Sequence, residues 1–291
     1  ANQDVSYTVH YYLEGTKTKL AEDRVVTGQT FNSTVTENAI SITGYTAQDP
    51  TSQTLTLNGY NKEIAFYYTA NTDVSYTVHY YVEGTTDKVA DDKIVRGKTF
   101  GTSVTEEAVE VPGYTALAPT NQTLKLDAYD KEITFYYEAK TDVSYTVHYY
   151  LQGTETKLAE DKVVEGQTFD TTVTEAAVAI TGYTAQAPTS QTVKLDAYGK
   201  EIKFYYTANQ DVSYTVHYYL KGTDTKLAED KVVTNQAFDS TVTEEAKEIT
   251  GYTAEKPTSQ TVKLDAYGKE ITFYYTANTD VSYTVHYYKE G

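Results

Sequence analysis

Five histidines, His10, His79, His148, His217 and His286, each sit inside the same nine residues, DVSYTVHYY, which begin at Asp4, Asp73, Asp142, Asp211 and Asp280. An imidazole flanked by phenols could serve as a general base or a metal ligand. Either role needs converging partners: a nucleophile within hydrogen-bond reach, or two or three further ligands. No second histidine recurs within a repeat and the chain has no cysteine, so neither a cysteine-based metal site nor a thiol nucleophile is available. The spacing therefore points to a strand histidine repeated for structural reasons.

The aromatics beside these histidines are the better candidates for function. Alternation in VSYTVHYYL puts Val5, Tyr7, Val9, Tyr11 and Leu13 on one face of a strand and His10 and Tyr12 on the other. In the closing strand, Ile271, Phe273 and Tyr275 share a buried face and Tyr274 lies opposite. If the first and last strands of a repeat are neighbours, four trios form on the outer face: His10, Tyr12 and Tyr67; His79, Tyr81 and Tyr136; His148, Tyr150 and Tyr205; and His217, Tyr219 and Tyr274. Such a trio either pairs across strands to stabilise a thin domain, at about 0.2–1 kcal/mol per pair, or offers a flat tyrosine surface that stacks on sugar rings or on a protein.

The valines that open the nonapeptides, at 5, 74, 143, 212 and 281, are separated by 69 residues each time, without insertion or deletion. A fixed period of this size means an array of small units. The expected domains are 1–70, 71–139, 140–208 and 209–277, with 278–291 the start of a fifth, truncated repeat. Each unit is near the lower limit for an independent core and should bury only about 60% of its unfolded surface. With no cysteine for a disulfide framework, packing has to suffice, and 31 tyrosines and 8 phenylalanines supply it. The formal charge of −17, with 24 basic residues spread evenly, argues against nucleic acid as a partner. No apolar run approaches the length of a membrane span, no secretory leader opens the chain, and it reads as a segment of something longer.

Within one unit the pattern predicts a first hairpin, a left-handed turn residue at Gly28, Gly97, Gly166 and Asn235, a helix, and a second hairpin whose turn position holds Asn61, Asp130, Gly199 or Gly268. The helix expectation rests on STVTEEAKEITGY. Val242, Ala246 and Ile249 follow i, i+4, i+7 spacing, Thr241 lies three before Glu244 as in a capping box, and Gly251 closes the segment. The order strand, strand, helix, strand, strand is that of a β-grasp. The expected class is thus α+β: a tandem array of ubiquitin-like domains, mostly strand with one short helix per repeat, joined by five-residue linkers into an elongated rod.

The residues VHYY in the opening strand, LAED in the second segment, GYTA at Gly44–Ala47, Gly113–Ala116, Gly182–Ala185 and Gly251–Ala254, and the closing FYY give each unit a resemblance to the mucin-binding protein (MucBP) repeat of Gram-positive surface proteins. The resemblance covers essentially the whole chain, and none of its motifs is catalytic. It implies a secreted, cell-wall-attached adhesin in which the repeats form a stalk, or in which each repeat is itself a weak multivalent module for mucin glycans or host surface proteins. It implies no enzyme and no cofactor, and a monomeric rod. Two further sites are weighed and disfavoured. Isopeptide crosslinks through Lys19, Lys88, Lys157 and Lys226 lack a recurring asparagine, and Asp23 and its equivalents read as solvated. Calcium at the linker aspartates Asp73, Asp142 and Asp211 has one carboxylate per junction, too few oxygens.

Overall fold

Val5, Tyr7, Val9 and Tyr11 do form one buried face, none more than 4% exposed. In the computed structural model, which describes residues 3–291, they line strand β1 (Val5–Leu13). The first repeat continues with β2 (Arg24–Gln29), β3 (Thr34–Asn38), β4 (Tyr45–Ala47), β5 (Ser52–Thr56) and β6 (Lys62–Ala70). The same six strands recur as β7–β12, β13–β18 and β19–β24. The chain divides between Lys140 and Thr141 into two compact units, each holding two repeats.

In each repeat, four strands make one sheet, in the order β2-β1-β6-β4 for the first. β1 and β6 lie side by side and parallel, from Tyr7↔Lys62 to Leu13↔Tyr68. The parallel pairing of first and last strands expected from the sequence is therefore present. β2 runs antiparallel to β1, and β4, the GYTA segment, runs antiparallel to the outer side of β6. Between Val5↔Gln29 and Tyr7↔Val26 the register slips by one residue, and Gly28 sits in that bulge at φ +69°. Gly97, Gly166 and Asn235 repeat the positive φ, as do the hairpin residues Asn61, Asp130, Gly199 and Gly268, in agreement with the turn chemistry read from the sequence.

The helix is not there. Among the described residues every regular element is a strand, so the repeat is all-β and the α+β, β-grasp assignment is corrected. The segment expected to be helical begins as β21 (Thr241–Glu245), paired with β23 (Ser259–Lys263) from Thr241↔Lys263 to Glu245↔Ser259. Its equivalent β3 pairs with β5 in the same way. This two-stranded ribbon lies where a helix would, turning Val35 and Leu55 onto the core of β1 and β6. The apolar set was read correctly, since Val242, Ala246 and Ile249 all pack against the core; its period was misread. Thr-Val-Thr alternates at period two with β-branched residues, a combination that fits a strand better than a helix.

The fifth copy of DVSYTVHYY, from Asp280, forms no strand, and Tyr283 and Tyr287 are 88% and 92% exposed. The 291 residues contain no counterpart of β2 or β6 for it to pair with. An unpaired strand leaves its backbone donors and acceptors to water, so the nonapeptide is a strand only where its neighbours are present. No helix among the described residues is long and apolar enough to cross a membrane; this says nothing of β-barrels.

Candidate functional site

The parallel register brings the outer-face aromatics together. His10 lies opposite Ala65 and Tyr12 opposite Tyr67. The His10 ring stacks on Tyr12 with centroids 5.5 Å apart, and Tyr12 meets Tyr67 at 6.2 Å. His79–Tyr81, His148–Tyr150 and His217–Tyr219 stack at 5.5, 5.7 and 5.9 Å, and Tyr150 meets Tyr205 at 6.2 Å. Tyr81 and Tyr219 are the register partners of Tyr136 and Tyr274. The trios differ within themselves in exposure. Tyr67, Tyr136, Tyr205 and Tyr274 are 40–47% exposed, whereas the histidine side chains are only 11–14% exposed, less than a half-exposed strand histidine would be.

A pairing that sequence reasoning missed holds these histidines down. His10 Nδ1 faces Asp23 Oδ1 at 2.9 Å, with both atoms shut off from water. The other oxygen of that carboxylate binds the ammonium of Lys19. In the second repeat the distances are 3.0 Å for His79–Asp92 and 2.8 Å for Lys88–Asp92. The aspartate assigned to a solvated charged run is instead the brace between strand and loop. Lys19 and then His10 hold the Asp23 carboxyl below its ordinary pKa. On the solvent side, His Nε2 looks toward Glu63, Glu132, Glu201 or Glu270 at 3.6–3.9 Å, and Lys226 Nζ lies 6.0 Å from the centre of the Tyr219 ring. The chemistry available is aromatic stacking edged by one ammonium and one carboxylate. Among the described residues, no group of three or more histidine, cysteine or acidic side chains is placed to hold a metal.

A second constellation lies between sheet and ribbon. The Tyr76 hydroxyl donates to Glu106 Oε1 at 2.6 Å, and Lys93 Nζ donates to Glu106 Oε2 at 2.7 Å. Tyr145, Glu175 and Lys162 repeat it, as do Tyr214, Glu244 and Lys231, and Arg24 replaces the lysine beside Tyr7 and Glu37. Burial, reinforced by the Glu106 carboxylate, pushes the Tyr76 phenol up to about 12. For Glu106, burial works upward but the hydrogen bonds from Lys93 and Tyr76 outweigh it, leaving the carboxyl below its ordinary value. The signal was in the sequence, as a glutamate recurring three residues after a threonine or, at Ser103, a serine. It reads as a capping box only if a helix is assumed.

Within each compact unit the two repeats meet at a built joint. Phe100, in the turn before β9 (Ser103–Glu107), packs edge-on against Tyr45 of the preceding repeat at 5.4 Å and against its own Tyr129 at 5.8 Å. Asn71, in the linker, ties the sides together. Its backbone N–H donates to Gly44 O at 2.9 Å, its carbonyl accepts from Phe100 N–H at 2.8 Å, and its amide accepts from Thr46 Oγ1 and donates to Tyr129 OH. Tyr129 OH in turn donates to the linker aspartate Asp73 at 3.2 Å. The joint of the third and fourth repeats reproduces this with Tyr183, Asn209, Phe238, Tyr267 and Asp211. Phe31, in the first repeat of these 291 residues, is 37% exposed against 8% for Phe100 and Phe238.

Among solved structures, the chain is similar to the TIE protein of Bacillus anthracis, at 11% identity over 78% of this chain and 54% of that one, with a TM-score of 0.31. It therefore spans about half of that protein's length. It is also similar to the type 2 repeat of the mucus binding protein MUB from Lactobacillus reuteri, at 14% identity over 70% of this chain and 100% of that one, with a TM-score of 0.17. A third is a streptococcal ancillary pilin, at 10% identity over 90% and 80% of the two chains, with a TM-score of 0.19. No curated protein matches it significantly. The family comparison is the informative one: the MucBP domain matches residues 76–138 and 213–276, the second and fourth repeats. The first and third repeats carry the same strands in the same sheet order at the same period, so the chain is built of MucBP-type repeats.

Proposed function

We propose that the chain is a non-enzymatic repeat segment of a bacterial surface adhesin, extracellular and attached to the cell wall, whose units set a distal binding region away from the cell. The observation that carries this reading is the joint. Phe100 with Gly44, Tyr45 and Asn71, and Phe238 with Gly182, Tyr183 and Asn209, commit the same residues to joining one repeat to the next. Residues spent on a joint serve a spacer. Family membership supports the surface role, since MucBP repeats are binding and surface modules rather than enzymes.

A second reading has its own support: the exposed Tyr67, Tyr136, Tyr205 and Tyr274 recur on one face of every repeat. Each repeat would then be a weak site for mucin glycans or a host surface protein, and the array would gain by effective concentration. Surface plasmon resonance of the chain over immobilised mucin separates the two. The spacer reading expects no saturable binding. Saturable binding that is lost in the quadruple variant Tyr67→Ser, Tyr136→Ser, Tyr205→Ser, Tyr274→Ser would replace it with the second reading.

A further inference from the structure

The chain enters each repeat at the start of its first strand and leaves at the end of its last, and these two strands are parallel neighbours. In the second repeat, β7 (Val74–Val82) and β12 (Lys131–Ala139) are paired from Tyr76↔Lys131 to Val82↔Tyr137, seven register pairs in all. A pull along the chain therefore grips β7 at one end of the ladder and β12 at the other. Such a load runs along the strands and across the hydrogen bonds, so the bonds share it and must fail together. A hairpin gripped at its open end would break them one at a time.

Side chains reinforce the same pair. Tyr80 stacks on Phe135 with centroids 6.1 Å apart and meets Tyr137 at 6.4 Å, all three within the core. Glu83 N–H extends the ladder by donating to Tyr137 O at 2.9 Å. Every other element of the repeat, β8 to β11, lies in the loop that the β7–β12 pair closes, so none of it can lengthen until that pair parts. Only three residues separate β6 from β7, which leaves almost no slack to absorb force before it reaches the ladder.

We propose that each repeat is a tension-bearing element whose β1–β6-type parallel pair acts as a shear clamp, and that carrying load along the chain is a function of this array beyond spacing or binding. The proposal holds whether or not the tyrosine face binds anything, so its failure and that of the adhesin reading are distinguishable.

Force spectroscopy on the full chain tests it. The absence of cysteine makes introduced thiols unique attachment points. Thr72→Cys with Lys140→Cys loads the second repeat in shear, and Glu83→Cys with Glu138→Cys grips the same two strands at one shared end; all four positions are exposed. At equal loading rate, the shear pair should need several-fold higher force than the shared-end pair. The unsubstituted chain pulled from its termini should give four steps at the shear force. Each step should release roughly 200 Å, since 69 residues extend to about 240 Å and the folded strand accounts for about 30 Å. Equal force for the two geometries, or terminal steps at the shared-end force, would overturn the clamp. The terminal pull needs no substitution, so it stands in for the shear pair, against the same shared-end force, if the Thr72→Cys, Lys140→Cys variant folds poorly.

Discussion

A methyl group placed on Gly44 would fall 2.2 Å from Cγ of Phe100, inside the ring of a side chain from the next repeat. Gly44 sits at φ +82° and Gly251 at φ +83°, yet nothing lies within 4 Å of a methyl on Gly251. The pair separates backbone strain from contact. Gly251→Ala should cost about 1 kcal/mol, the strain of a left-handed alanine. Gly44→Ala should add the loss of a buried phenylalanine as Phe100 is pushed out, about 1.5–3 kcal/mol more. Guanidinium denaturation of the two variants gives the difference, and equal losses would mean that Phe100 contributes nothing to the joint.

The two faces of the last strand make a second contrast. Phe135 is 1% exposed and its neighbour Tyr136 is 45% exposed. Phe135→Ala should cost about 3–5 kcal/mol, enough to unfold a repeat of this size. Tyr136→Ala should stay within about 1 kcal/mol, the scale of a cross-strand pair. Thermal unfolding followed by circular dichroism distinguishes them.

How much of this was legible follows from what each signal depends on. The strand faces were, because alternation is local: Tyr11, Phe66 and Tyr68 fell where period two puts them. The left-handed positions were, because only glycine, asparagine and aspartate tolerate them. The ribbon was not, because five residues of β3 followed by Ala39 and Ile42 satisfy a helical spacing by accident, and only pairing with β5, some 18 residues away, decides the matter. The outer trio was found through topology. The aspartate that braces His10 was not, because Asp23 reaches it from a loop whose path only the fold reveals.

Alkaline pH should unfold the repeats through Tyr7, Tyr76, Tyr145 and Tyr214, whose phenols are pushed up to about 12 by burial and then by their glutamates. A folded-state value above the unfolded one, near 10, means that this stability is present below about pH 10 and is lost as pH rises toward 12. Phenolate absorbance should show these four titrating together with unfolding. In Glu106→Gln the Tyr76 phenol should ionise at lower pH, and stability at pH 7 should fall by no more than about 1 kcal/mol, because Lys93 loses its charged partner but is half exposed and stays hydrated.

Acid works with the opposite sign. Asp23, Asp92, Asp161 and Asp230 are held low by their lysines and histidines, and Glu106, Glu175 and Glu244 by their lysines and tyrosines. The unfolded chain then binds more protons as pH falls through the ordinary carboxylate range near 4, so the stability these groups contribute is present above that range and is lost below it. The melting midpoint should be level from pH 7 to about 5 and fall steeply from there to pH 2. Added salt should shrink the part due to the exposed Lys–Asp pairs. A midpoint independent of pH over that range would contradict the pairing.

The central claim is that each 69-residue period is a complete all-β unit that joins any neighbour of its kind, and removing one period tests it most directly. Deleting residues 74–142 joins Asp73 to Val143 and leaves Asn71, Phe169 and Tyr198 at the places that Asn71, Phe100 and Tyr129 hold now. Scanning calorimetry should then find the midpoint unchanged and the total unfolding enthalpy lower by a quarter, about 50 kcal/mol at ~0.7 kcal/mol per residue. A lowered midpoint, or an enthalpy loss well beyond one repeat's share, would show that the units depend on their particular neighbours and would contradict the account.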